Sequence, residues 1–180
     1  HICFNMMSST PFKARQLVEY LNAPCDGGMG RLRMLNGHKN PRGVKLFEMD
    51  NETSRKWEAL EYARECGKFA REMRLADPDI EFMMEGYNFP THKLRAMLDI
   101  AGGDINYLIQ RNGDPEFVAE MLEIIRKYNK DTGRNIKLVN TEWLPKCDTY
   151  KPFEDSEIPQ HFSWSGEMTN DYRKSFSFFQ

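Results

Sequence analysis

Two hydrophobic periods alternate along this chain. Short apolar runs, "ICFNM", "VKLFEMD", "IEFMMEGY", "INYLIQR" and "IKLVNTEWL", predict five strands, the first over about Ile2–Met6. Between them the apolar positions recur at helical spacing. In "SSTPFKARQLVEYLN", Ser9 or Thr10 suits a cap and Pro11 the first helical position, with Ala14, Leu17, Val18 and Leu21 on one face. A longer helix is expected from about Ser54 to Ala76. Its stripe is Trp57, Leu60, Ala63, Cys66, Phe69, Ala70 and Met73, and Asp77-Pro78 ends it. "PTHKLRAMLDIAGG" predicts a short helix closed by paired glycines. "DPEFVAEMLEIIRKYNKDTG" predicts one with Phe117, Val118, Met121, Leu122, Ile125 and Tyr128 inward and Gly133 past its end. "APCDGGMGRLRMLNGHKNPRG" has no steady period and reads as a long connection.

Strand and helix thus alternate in units of about 25 to 35 residues, the pattern of repeated βαβ units around a parallel sheet. The strands read as apolar on both faces, as when helices cover a sheet from both sides. Two α/β architectures fit: an open doubly wound sheet, or part of a (β/α)8 TIM barrel. No glycine-rich phosphate loop follows any strand, and the first runs into "NMMSSTP", which counts against a dinucleotide-binding sheet. A whole barrel takes about 250 residues, so five strands in 180 residues would be an incomplete one.

Composition narrows the function classes. Apolar residues make up 40% and charged residues 29%, with a net charge of −2, so nothing global points to nucleic acid or an anionic membrane. No apolar run nears the roughly 20 residues of a membrane helix. Cys3, Cys25, Cys66 and Cys147 form no CxxC or zinc spacing, so neither a disulfide framework nor a metal or other cofactor is expected. The chain opens on His1 in a strand-like run and closes on "DYRKSFSFFQ", which reads as the start of a helix. A piece of a longer protein is therefore expected, without the signals that would decide between a cytoplasmic and a secreted location.

Chemistry in parallel α/β folds gathers at the C-terminal ends of strands. Two runs end there in acidic residues: Asp50-Asn51-Glu52 and, ninety positions later, Glu142. In a closed barrel they would lean into one mouth. Two facing carboxyls suit glycoside hydrolysis, one protonating the leaving oxygen and the other attacking the anomeric carbon. A gap of about 5 to 5.5 Å implies retention and about 6.5 to 9.5 Å inversion. The same residues also suit a plain helix start, where acids favour the dipole, and Asp50, Glu52 and Glu142 offer carboxylates for a divalent cation. His92 and His161 stand alone, so a nucleophilic triad is not expected. Arg31, Arg33, His38, Lys39 and Arg42 form a basic cluster in a helix-to-strand connection. On the rim opposite the chemistry, that placement favours a structural or subunit-contact role.

"FEMDNE", "EYARECGKFAREMRLADPDIEF" and "RNIKLVNTEWLP" together resemble glycoside hydrolase family 51, the α-L-arabinofuranosidases, with "STPFKARQLVEYLNAP" and "GRLRMLNGHKNP" similar to the family's third helix and the connection after it. The resemblance runs over about residues 2–145. It implies a clan of retaining (β/α)8 glycosidases, with these five strands as the third to seventh of the barrel. The remaining strands and a β-sandwich domain would lie outside the 180-residue partial catalytic domain. It makes Glu52 the acid/base, Glu142 the nucleophile and Asn51 the partner of the sugar 2-hydroxyl. It implies terminal arabinofuranose release from arabinan, arabinoxylan or oligosaccharides of the plant cell wall, and assembly as a homo-oligomer. Related endoglucanases, xylanases and non-catalytic carbohydrate-binding barrels are the rival readings.

The sequence also departs from the family. Many members carry His at the end of the sixth barrel strand, where "YLIQR" places Arg111. A guanidinium cannot act as a base, so Arg111 is expected to bind substrate or to pair with Asp114. No role transfers to Tyr87. Trp143, after the nucleophile candidate, can stack on a sugar face or turn into strand–helix packing. The aromatics of residues 146–171 suit a loop that shapes substrate access.

Overall fold

The computed structural model describes residues 1–53, 56–111 and 114–142. The chain divides into two compact units, His1–Thr141 and Glu142–Gln180. Trp143, Cys147, His161 and the loop 146–171 lie outside the described residues. In the first unit the strands are β1 (Ile2–Phe4), β2 (Leu46–Met49), β3 (Glu81–Glu85), β4 (Tyr107–Ile109) and β5 (Lys137–Val139). The helices are α1 (Pro11–Asn22), α2 (Gly28–Leu35), α3 (Ala59–Arg74), α4 (Thr91–Ala101) and α5 (Pro115–Thr132).

All strand pairs are parallel and the sheet order is β1-β2-β3-β4-β5. That order separates the two architectures. A doubly wound sheet reverses direction at a switch point and takes helices on both faces. Consecutive right-handed crossovers without reversal put every helix on one side. The chain therefore forms an arc of a (β/α)8 barrel.

The covered face is apolar. Phe4, Phe47, Met49, Phe82, Met84 and Leu108 merge with Val18, Ala63, Phe69, Met73, Leu94, Met97 and Ile125 of the helices into one core. Phe4 meets Phe69 at a ring separation of 5.5 Å. The other face differs from the both-sides-apolar expectation. Register places Cys3, Glu48 and Met83 in one row and Glu85, Ile109 and Val139 in another. Glu48 and Glu85 are buried there. Strand side chains alternate, and with helices on one side only, the second side is free to carry polar groups.

The helix starts follow their caps. Thr10 Oγ1 accepts from Lys13 N–H at 3.3 Å, with Pro11 next. Asp114 caps α5 by accepting from Glu116 N–H at 3.0 Å, and Gly133 closes that helix at φ 71°. Two boundaries depart from the sequence pattern. The connection after α1 contains α2, a helix without marked periodicity. It is held by docking: Arg33 is fully buried and donates to the carbonyls of Tyr20 (2.6 Å), Ala23 (2.7 Å) and His38 (3.1 Å). At Gly30 any Cβ would strike the Pro24 carbonyl. Within the basic cluster, Arg33 thus has the structural role expected. The second departure is α3, which begins at Ala59 rather than Ser54. Thr53 is held elsewhere, its carbonyl accepting from Lys56 and Trp57 N–H in a separate turn. Tyr62 and Gly67 join the buried stripe of α3.

Candidate active site

The C-terminal rim of the arc is built from what each strand delivers in its last residues. After Met49 the chain turns sharply. Asp50 has φ 67° and Glu52 φ 51°, the only non-glycine positive values among the described residues. An L-residue in the left-handed region costs about 1–2 kcal/mol, so such a turn persists only where its surroundings hold it. Here they do so from both sides. Asp50, nearly buried, accepts from Met6 N–H (2.9 Å), Met7 N–H (3.1 Å) and its neighbour Asn51 N–H (2.8 Å). This ties the end of β1 to the end of β2.

On the other side stands Glu85, the last residue of β3 and fully buried. One carboxylate oxygen accepts from Glu52 N–H at 2.5 Å. The other accepts from Thr53 N–H at 2.9 Å, the Thr53 hydroxyl at 2.6 Å and the Asn88 amide at 3.2 Å. Tyr62 braces the arrangement from α3, donating to the Met49 carbonyl (2.6 Å) and accepting from Glu85 N–H (3.1 Å). Complete burial pushes the Tyr62 hydroxyl well above its ordinary pKa of 10, so it stays a neutral bridge.

A second cluster centres on Arg111, just past β4. Its guanidinium donates to Glu48 Oε1 at 2.5 Å, Asn51 Oδ1 at 2.6 Å, the Tyr87 hydroxyl at 3.0 Å and Thr141 Oγ1 at 3.1 Å. Thr141 in turn donates to Glu48 Oε1 at 3.0 Å. The Arg111 and Glu48 side chains are only 10% and 2% exposed, so this ion pair is not a screened surface pair. Burial, and then the charge of Glu85, push the Tyr87 hydroxyl above its ordinary pKa of 10. One residue thus joins the ends of β2, β3, β4 and β5.

Of the residues singled out in the sequence, Asn51 and Arg111 are brought into direct contact. Glu52 is exposed to solvent beside them with its backbone anchored. Glu142 is the first residue of the second unit, three positions past the end of β5, and is exposed. Sequence reasoning passed over Glu48, Glu85, Thr53 and Thr141 and gave Tyr87 no role. Two of these carried a signal: Glu48 and Glu85 are carboxylates inside otherwise apolar strands, each near the C-terminal end. Among the described residues, no three His, Cys, Asp or Glu side chains form a group able to hold a metal ion.

Fold and rim together define a (β/α)8-barrel protein whose polar, strained residues are concentrated at the C-terminal ends of its strands. The family model described as "Alpha-L-arabinofuranosidase 1 domain" matches residues 3–130, well over half of the chain, and the chain belongs to that family. It is 32% identical over 96 residues to "Alpha-L-arabinofuranosidase C" of Emericella nidulans, covering 51% of this chain and 19% of that protein. It is 37% identical over 79 residues to the "Intracellular exo-alpha-(1->5)-L-arabinofuranosidase" of Streptomyces lividans, covering 41% of this chain and 12% of that one. Among solved structures it is similar to a family 51 α-L-arabinofuranosidase from Bifidobacterium longum (TM-score 0.70, 19% identity, 78% of this chain and 34% of that one). It is also similar to the α-L-arabinofuranosidase of Thermotoga maritima in an arabinose complex (TM-score 0.66, 22% identity, the same coverage). The chain therefore spans less than a fifth of the length of these two curated relatives and about a third of these solved chains. The resemblance to family 51 in the sequence holds.

Proposed function

We propose that this chain supplies part of the catalytic barrel of a retaining glycoside hydrolase that releases terminal α-L-arabinofuranosyl residues from arabinan, arabinoxylan or their oligosaccharides. The observation that carries the reading is the Asn51-Glu52 turn. It lies on the C-terminal rim with Asp50 and Glu52 in the left-handed region on either side of Asn51, held by the buried carboxylates of Asp50 and Glu85, in a member of the α-L-arabinofuranosidase 1 domain family. The names of the relatives support the sugar and the bond.

In this mechanism Glu52 protonates the leaving oxygen while Glu142 attacks the anomeric carbon from the opposite face, forming a β-glycosyl-enzyme. Glu52 then takes a proton from water as that water displaces Glu142 and restores the α configuration. Asn51 holds the sugar 2-hydroxyl. Because Arg111 already occupies Oδ1 of Asn51, the amide presents its N–H groups to the sugar as donors. Arg111 and Tyr87, hydrogen-bonded in a chain beside Asn51, border the sugar, and Trp143 supplies the stacking face. No cofactor takes part.

The remaining barrel strands and a β-sandwich domain belong to the rest of the protein, so the isolated 180-residue chain is inactive. The test uses the full-length protein on an arabino-oligosaccharide and on 4-nitrophenyl α-L-arabinofuranoside. Glu52→Ala and Glu142→Ala each cut turnover of the oligosaccharide severely, Glu52→Ala by up to about 10⁴-fold. Azide restores turnover of the aryl substrate in both, giving the β-azide with Glu142→Ala and the α-azide with Glu52→Ala. Sugar binding without turnover in the wild type, or one azide anomer from both variants, overturns the reading.

A further inference from the structure

We infer that Glu85 is a positioning residue for the acid/base. It has no place in the reaction itself, and the inference rests on the assignment of Glu52 above. A buried carboxylate is costly unless its lone pairs are filled, and here four donors fill them: Glu52 N–H, Thr53 N–H, the Thr53 hydroxyl and the Asn88 amide. Three of the four belong to the two residues that end the strained turn. The positive φ of Glu52 places its own N–H and that of Thr53 toward β3, so both point at one carboxylate. Without that acceptor, two adjacent N–H groups lose their partner, and the Asp50 contacts hold the turn from the other side only. The turn then relaxes toward ordinary φ values, swinging the Glu52 side chain on the rim.

The fit requires an acceptor on both oxygens. A glutamine at position 85 can offer only one. If its oxygen faces Glu52, its NH2 meets the Thr53 N–H and the Asn88 amide; if flipped, its NH2 meets Glu52 N–H. Either way a donor faces a donor. The brace behind Glu85 is unchanged by the substitution, because Tyr62 contacts the backbone N–H of residue 85 and the Met49 carbonyl. Glu85→Gln is thus a local change at the turn.

Two measurements on the full-length protein test the inference. The first is amide hydrogen exchange, which needs no activity. In Glu85→Gln the amides of Glu52 and Thr53 exchange at least tenfold faster than in the wild type, while those of β3 and α3 keep their protection. Unchanged exchange at Glu52 and Thr53 overturns the inference. The second separates positioning of a proton donor from general damage. Substrates with poor leaving groups need protonation and activated aryl glycosides do not. Glu85→Gln therefore loses kcat on an arabino-oligosaccharide about 10- to 100-fold more than on 4-nitrophenyl α-L-arabinofuranoside. Equal losses on the two substrates overturn it. If Glu85→Gln does not fold, Thr53→Val, which removes only the hydroxyl donor, is read by the same two measurements and shows the same pattern at smaller amplitude; wild-type exchange and rates there overturn the inference. A wild type without arabinofuranosidase activity would sink the functional assignment and leave the exchange measurement to decide the role of Glu85.

Discussion

The two rims of the arc use polar side chains in different ways. At the N-terminal rim, where helices return to strands, side chains mostly satisfy backbone. Arg33 donates to Tyr20, Ala23 and His38 carbonyls, Arg134 to those of Gly102 and Gly103, Asn22 to that of Val44, and Asn129 to that of Ile136. At the C-terminal rim, side chains mostly hold one another, and two of them hold a backbone turn in an unfavourable region. Arg111 joins Glu48, Asn51, Tyr87 and Thr141, while Asp50 and Glu85 clamp the turn. The N-terminal pattern closes connections and is a stability device. The C-terminal pattern fixes the direction of exposed groups, and it does so with buried charge, which contributes little net stability.

The contrast can be broken most sharply at Glu52. Replacing it with Ala is expected to cut kcat on an oligosaccharide by up to about 10⁴-fold, roughly 5 kcal/mol in the barrier, with the unfolding midpoint unmoved, because alanine keeps a Cβ at the same left-handed φ and the same backbone N–H to Glu85. A large fall in thermal stability would put Glu52 in the structural class instead. Next comes Arg111→Met, which removes the guanidinium from buried Glu48 and leaves it, among the described residues, only the Thr141 hydroxyl and the His1 ring as partners. About 3–5 kcal/mol of unfolding free energy should be lost by urea titration, and Glu48→Gln in addition should recover part of it. A null result would mean that the C-terminal cluster is more solvated than its 2% and 10% exposures indicate.

The opposite rim should show the reverse. Arg33→Met strips donors from buried carbonyls and is expected to cost about 2–4 kcal/mol, with kcat per folded molecule unchanged. A kcat effect at a site across the sheet would blur the division. The smallest effect belongs to Asp77, which follows α3. Burial pushes its carboxyl upward, but the hydrogen bonds from Lys45, Asp79 N–H and Asn22 prevail and hold it below its usual 3.8. The folded form thus releases the proton more readily than the unfolded one. The stability it contributes is complete above about pH 4 and is lost as pH falls through the lower folded value. Asp77→Asn should cost about 1 kcal/mol at pH 7 and nothing below the folded pKa, read as a flatter acid limb in a denaturation series.

Much of this was legible in the chain. Five apolar runs, their intervening helical stripes, Thr10-Pro11, Asp114-Pro115 and Gly133 specify elements through local physics: side-chain period, capping and the left-handed tolerance of glycine. Asn51 and Glu52 could be placed on the correct rim because a parallel βαβ repeat sends every strand the same way. Other features were not local. Helix α2 lacks a periodic stripe and exists because Arg33 and Gly30 dock it against the end of α1. The start of α3 is delayed because Thr53 is held by Glu85, 32 positions away. The polar face of the sheet was hidden because Glu48 and Glu85 are single charges in apolar strings, and only the one-sided packing of helices shows why they are tolerated.

The sequence by itself determined the elements, their order, the rim on which chemistry belongs and the kinship of the chain, since each follows from periodicity or from a contiguous motif. Tertiary structure alone decided that the sheet is an unreversed arc, that Arg111 ties four strand ends together, and that a buried carboxylate on β3 holds the Asn51-Glu52 turn. Hydrogen bonds between residues 24 to 93 positions apart are geometric facts. No local propensity encodes them.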